Sequence, residues 1–450
     1  MRASLPFISL WQLSLLLALF LSFAASILVG GAMPQALAAS DVHYQSTTPD
    51  CTMSSTLGST PPLERAANSS QRSSRHRDDP PGWKTSGAQI LATNGAITIP
   101  FTITGINWYG FETTSHVAHG LYSQDYHTIV MSIRQCGYNT IRIPFSNQMW
   151  ETNPIPNANT ISACPSCKGL PSRTILANII NYAGSIGLHI ILDNHRSEAG
   201  NSAEANGLWY NNSSHNHYPE SMWISDWEQI QQWVHGLQNY LAVDGFPTVL
   251  GYDLRNEPHT PPGAAYRQGA TWGTGDGIDP LLNPNPNPFS PSCYAQQQQA
   301  ICHDWRLAAE RAADTLLRDA NSNSWTSPLI FVEGTGQYPI PGGTAANGPY
   351  DYYWWGGDLQ GVNGNIGMNS QGQTITNPGA PIVLNAGTNA SGNSPGPVVN
   401  NQLVYSAHDY GPAAYGEGWF NSTTCYQSGC SPSSLADVWN THWAYNKYDK

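Results

Sequence analysis

Asn256 and Glu257 stand at the end of a short apolar run, Thr248 to Leu254, and Pro258 stops that run directly after them. A carboxyl group delivered to the carboxyl end of a strand, beside an amide able to bind a sugar hydroxyl, can pass a proton to or from a glycosidic oxygen. A proline-terminated strand with an exposed glutamate would read the same way, so the other strand ends decide. Further apolar runs end in Asn107-Trp108, in Arg142, in His195-Arg196 just beyond Asp193, in Glu333, and in His408-Asp409-Tyr410. Polar groups at the ends of successive strands add nothing to a packed interior, and together they describe a site.

The elements that must position these residues alternate. Strand-length runs cover 96–107, 139–144, 188–193, 249–256, 329–333 and 403–408, and the stretches 122–136, 173–186, 224–241 and 304–320 between them carry apolar residues at helical spacing. Such alternation specifies parallel βα units, in a barrel or a doubly wound sheet. The turn Gly105 to Gly110 does not match Gly-x-Gly-x-x-Gly, which favours the barrel.

Composition narrows the partners. A net charge of -12, with 18 Lys+Arg against 30 Asp+Glu, excludes nucleic acid and anionic membrane surfaces and leaves neutral polymers. The 16 Trp and 22 Tyr suit a carbohydrate-handling surface or a large core. Residues 1–38 read as an export signal: Arg2, an apolar stretch from Leu5 to Leu28, then Ala36-Leu37-Ala38 as a small-x-small cleavage site. The stretch is long for a signal core, and an uncleaved anchor is the competing reading. Residues 39–82 are rich in Ser, Thr, Pro, Arg and Asp and read as a disordered linker ahead of a domain at 83–450. Eight cysteines in an exported chain suggest disulfides. Proximity pairs Cys164 with Cys167, Cys425 with Cys430 and Cys293 with Cys302, leaving Cys51 for Cys136. The single Cys-x-x-Cys lies in a Pro/Ser/Gly loop, and no metal or redox cofactor is implied.

Several segments occur in a telling order: Trp83-x-Thr-Ser-Gly, Gly105–Thr113, His119-Gly-Leu, Gly137–Pro144, Ile191–Arg196, Asp253–His259, Asp304–Arg311, Phe331–Gly334, Tyr353–Gly357 and Tyr405–Tyr410. Together, from about Trp83 to the last residue, they closely resemble the catalytic domain of glycoside hydrolase family 5, in particular its bacterial secreted endo-β-1,4-glucanases. The resemblance implies a (β/α)8 barrel, a monomer, an extracellular β-glucan substrate and retaining hydrolysis by two glutamates. It gives Glu257 the general acid/base role and Asn256 the sugar 2-hydroxyl. Arg142 and His195 then support the site, and His408 and Tyr410 orient the nucleophile and the sugar. Trp108, His119, Trp354 and Trp355 fall at substrate-binding positions, the tryptophans as stacking platforms for glucose rings.

One part of the pattern is unmatched. The family carries its nucleophile on strand seven in a segment of the form Gly-Glu-Phe-Gly, and no such segment follows Tyr410, where the remaining acids are Glu417, Asp437 and Asp449. The expectation is an incomplete barrel with strands one to six present, seven and eight missing and the nucleophile glutamate beyond the chain end, inactive as it stands. Glu333 ends a strand and is eligible for the nucleophile by pattern, although the family uses that position otherwise. Two alternatives stay open: a sibling enzyme acting on β-mannan, xyloglucan or β-1,3-glucan, and a non-catalytic secreted glucan-binding protein.

Overall fold

A computed structural model of the chain describes residues 80–212, 217–264, 268–273, 303–340, 350–368, 373–385, 399–411 and 438–443. The expected export signal, nearly all of the expected linker, and Cys51, Cys293, Cys302, Cys425 and Cys430 lie outside these residues.

Three short strands open the described chain: β1 (Gly82–Ser86), β2 (Gln89–Asn94) and β3 (Ile97–Phe101), an antiparallel sheet in that order. Two-residue links join them, with Gly87 and Gly95 at φ of 55° and 58°, conformations that glycine adopts without a Cβ penalty. Trp83 on β1 is buried, and its indole N–H donates to the Pro247 carbonyl at 3.1 Å. The strip therefore closes the end of the main sheet opposite the polar strand ends.

The run 96–107, expected as one strand, divides into β3 and β4 (Gly105–Asn107). The chain must turn there from the antiparallel strip into the parallel sheet. Asn139 braces the turn, its amide donating to the Thr102 carbonyl at 2.8 Å and accepting the Thr104 N–H at 2.9 Å.

Five strands join β4 in one sheet: β5 (Thr140–Ser146), β6 (His189–Arg196), β7 (Val249–Asp253), β8 (Leu329–Glu333) and β9 (Leu403–Ser406). All pairings are parallel, and the sheet order β9-β8-β7-β6-β5-β4 places every strand beside its neighbour in the chain. A doubly wound sheet would reverse its order partway, so this is the strand sequence of a (β/α)8 barrel through its sixth unit. Strands seven and eight are not among the described residues.

Helices α1 (Tyr126–Gln135), α2 (Asn147–Thr152), α3 (Ser172–Ser185), α4 (Glu220–His235) and α5 (Trp305–Ser322) occupy the connections. Asp125 and Asp304 cap α1 and α5, accepting the N–H groups of His127 and Leu307. Helix α4 starts four residues before the expected 224, directly after Pro219, whose ring suits a helix entry, and ends at His235, short of the expected 241. Most of the described tryptophans are core rather than surface. Trp223 and Trp227 both donate to the Leu254 carbonyl, at 3.1 and 3.2 Å, and Trp305 donates to the Glu333 carbonyl at 2.8 Å. These buried indoles fix the carbonyls at the ends of β7 and β8, where the polar residues emerge.

Cys164 and Cys167 form the expected disulfide. Cys136 is also disulfide-bonded, to a cysteine outside the described residues. Among the described residues no helix is long and apolar enough to cross a membrane.

Candidate active site

The parallel register sets Asn107 opposite Arg142, Asp193 opposite Asp253, and Asp253 opposite Phe331, so the acids of adjacent strands meet at one level. Arg142 lies among them. Its Nε donates to Asp253 Oδ2 at 2.9 Å, and its Nη2 to Glu333 Oε1 at 3.1 Å and Asn256 Oδ1 at 3.3 Å. Its Nη1 is 3.0 Å from Asp193 Oδ2. Asp193, Asp253 and Glu333 are all fully buried. Burial disfavours the guanidinium charge, but the three carboxylates outweigh it and hold Arg142 above its ordinary value. Asp193 is pushed up by burial and pulled further down by Arg142 and His195, whose Nδ1 lies 2.7 Å away, so it stays ionised. Asp253 is raised, chiefly by burial.

Glu257 follows β7 in the left-handed region, at φ 49°, a strained conformation for a residue with a side chain. Its backbone N–H donates to Glu333 Oε2 at 2.6 Å, and its carbonyl accepts from His259 Nδ1 at 2.7 Å. Its Oε1 receives the Tyr410 O–H and lies 3.0 Å from His408 Nδ1. The other ring nitrogen of His408 is 2.9 Å from Glu333 Oε1. Both nitrogens thus face carboxyl groups, an arrangement that the imidazolium satisfies with an N–H donated to each. Burial lowers the His408 pKa, but Glu333 and Glu257 raise it to about 10. Burial, against the pull of His408, pushes Glu333 up to about 8. The pair therefore keeps its proton through neutral pH. Burial also raises Glu257, but the hydrogen bonds from His408 and Tyr410 prevail and hold it below its ordinary value.

Six of the expected residues, Arg142, His195, Asn256, Glu257, His408 and Tyr410, thus gather at the strand ends. Among the described residues His408 contacts both Glu257 and Glu333, and Tyr410 donates to Glu257. The aromatic expectations divide. Trp108 is 7% exposed with its indole N–H on the His119 carbonyl at 2.9 Å, and Trp354 is 6% exposed among Tyr353, Tyr410 and Trp443. Both are buried, so neither presents an open ring here. Trp355 is 38% exposed and stacks on the buried His259, with centroids 3.7 Å and planes 6° apart. His119 is exposed and stacks on Tyr109 at 4.5 Å.

Glu333, eligible as a nucleophile by pattern, completes the cluster with Asp193, Asp253, His259 and Gly356, four residues given no site role from sequence. The two aspartates end β-type apolar runs, a signal that was present. Their meeting on one arginine depends on register, which a single strand does not disclose. Gly356 has φ 72°, and a Cβ there would lie 2.3 Å from Glu333 Oε2, so the absence of a side chain makes room for that carboxylate.

The chain matches the profile of the cellulase family, glycosyl hydrolase family 5, over residues 99–449. An endoglucanase of Paenibacillus polymyxa is 32% identical over 363 residues, 81% of this chain and 67% of the relative. The major extracellular endoglucanase of Xanthomonas campestris pv. campestris is 27% identical over 355 residues, 79% of this chain and 53% of the relative. The chain thus spans about two thirds of the one relative and about half of the other. Among solved structures, a variant endocellulase from Pyrococcus horikoshii in complex with cellotetraose superposes with a TM-score of 0.56 at 29% identity, covering 81% of this chain and 77% of that one. By its ordered βα units, by the residues collected at their carboxyl ends and by the extent of the profile match, the chain belongs to glycosyl hydrolase family 5.

Proposed function

We propose that the protein is a secreted retaining endo-β-1,4-glucanase in which Glu257 is the general acid/base. One observation carries the reading: Glu257 stands at the end of the fourth parallel strand with His408 and Tyr410 on one oxygen, leaving its other oxygen for a glycosidic oxygen. Glu257 protonates the leaving group and then takes a proton from the attacking water. Asn256, whose Oδ1 is held by Arg142, presents its amide N–H to the sugar 2-hydroxyl. Trp355, partly exposed, offers its indole to a glucose ring on the leaving-group side, next to the acid.

Retention requires a second carboxylate about 5 Å from the first. Glu333 does not supply it. It is 0% exposed, with Oε1 on Arg142 and His408 and Oε2 on the Glu257 N–H, so neither oxygen can reach an anomeric carbon. The nucleophile is assigned to a glutamate outside the described residues. Its negative charge beside Glu257 raises Glu257 from the depressed value seen here into the range of a proton donor. Export is supported by the Cys164–Cys167 disulfide, a bond that persists in oxidising compartments.

The test is Glu257→Gln in the full natural gene product. Turnover of β-1,4-glucan should fall by about 10³, while an aryl cellobioside with a strongly acidic phenol, which needs no proton, should lose less than about tenfold in the glycosylation step. Equal losses on both substrates would remove Glu257 from the acid/base role.

A further inference from the structure

Tyr353 joins parts of the site that lie far apart in sequence. Its O–H donates to Asp409 Oδ1 at 3.0 Å and accepts the Trp443 indole N–H at 3.1 Å. Its ring lies flat on His442, with centroids 4.1 Å apart and planes 12° apart. His442, in the helical turn 438–442, is fixed in place: its carbonyl accepts the Leu359 N–H at 2.8 Å, and its Nδ1 lies 3.1 Å from Gln360 Nε2 and 3.5 Å from Asp358 Oδ1. The Tyr353 phenol is therefore held on three sides.

What it holds matters more. Asp409 is an exposed residue between His408 and Tyr410, the two residues that contact Glu257 Oε1. The loop that begins at Tyr353 also supports this turn from beneath. The Gly356 carbonyl accepts the His408 N–H at 3.4 Å, and a Cβ at Gly357 would lie 2.3 Å from the His408 carbonyl and 2.8 Å from the Tyr353 ring. Nothing in a hydrophobic cluster requires a hydroxyl here. A phenylalanine would fill the same space and stack on His442 equally well.

We propose that Tyr353 is a positioning residue: its O–H, clamped by Trp443 and His442, fixes Asp409 and through it the orientation of the His408–Tyr410 turn on Glu257. The proposal rests on the reading of Glu257 as the proton donor. The described contacts of the Tyr353 phenol are with Asp409, Trp443 and His442, so it reaches Glu257 through the turn that carries Asp409.

Tyr353→Phe removes both hydrogen bonds and keeps the ring. In the full natural gene product, kcat on cello-oligosaccharides should fall about tenfold with KM changed by less than about twofold. Asp409→Asn should give a loss of similar size, and the double variant should be no worse than the poorer single one, since the two residues act as one unit. The discriminating readout is the titration of Glu257. The charged and titratable groups around it are His408 and Tyr410 on its carboxylate, Glu333 at its N–H, His259 at its carbonyl, Arg142 on Asn256, and His195 across the site. Only the first two move with the turn. Because their hydrogen bonds hold Glu257 down, loosening them should raise its pKa, observed by NMR of the labelled carboxyl in wild type and Tyr353→Phe. An unchanged Glu257 titration, with any lost activity tracking a lower Tm, would overturn the proposal. If the wild-type protein hydrolyses no β-glucan, the proposed function fails, and the carboxyl titration still decides the role of Tyr353.

Discussion

His408 holds its ring between two carboxylates, 3.0 Å from Glu257 and 2.9 Å from Glu333, and the cost of removing it depends on pH. Its folded pKa of about 10 lies above the unfolded value of about 6.5. The folded chain therefore binds a proton that the unfolded chain releases. The resulting stabilisation is fully present below about pH 6.5 and is lost as the pH rises through about 10. Glu333, held up to about 8, acts in the same direction. Glu257, held low, acts oppositely, and its contribution disappears only in acid. The unfolding free energy should thus decline between pH 7 and 10, by no more than about 5 kcal/mol for His408 itself. His408→Gln should start from a lower stability and show a flatter decline. Urea melts at several pH values measure both, and an equal slope in the two proteins would show that His408 does not retain its proton in the fold.

At the level of elements, the loop after β8 is as important to the site as the strands. Gly356 has φ 72°, and its Cα faces Glu333, so Gly356→Ala adds both backbone strain and a contact of 2.3 Å with a buried carboxylate oxygen. The expected cost is about 1–3 kcal/mol in stability and about a hundredfold in kcat, since Glu333 carries the Glu257 N–H and would be displaced. Gly87→Ala is the control: φ is 55° but nothing lies within 4 Å, so it should lose stability without losing kcat. A Gly356→Ala enzyme with wild-type kcat would show that Glu333 need not stay where it is. Little of this loop was legible in the sequence. The motif Tyr353–Gly357 marked it, yet adjacent tryptophans look alike in a sequence, and only packing shows Trp354 turned inward and Trp355 outward. The strand ends were far more legible, because an apolar run broken by a polar pair marks both the strand and its mouth. The division of 96–107 was not, because its turn is held by Asn139, a residue from the next strand.

For the whole molecule, the legible part was the alternation of elements, and the illegible part was how the acids meet. Arg142, Asp193, Asp253 and Glu333 come from four neighbouring strands, and only sequential parallel order with this register brings them onto one guanidinium. The same order predicts where the fold is most persistent. Strands β7 and β8 are buried along their whole length and hydrogen-bonded on both sides, whereas β4 is exposed throughout and stands at a sheet edge, paired only to β5 among the described residues. The indoles of Trp223, Trp227 and Trp305 further anchor the ends of β7 and β8. Amide exchange should therefore be slowest over 249–253 and 329–333, by more than about a hundredfold relative to 97–107, because central strands open only with the whole domain and edges open locally. Mass-spectrometric exchange of the native protein resolves these segments. Comparable rates would mean that the polar cluster beneath Glu257 opens as readily as the sheet edge, and a site that depends on Arg142 and Glu333 staying in place could not then be preorganised by the fold.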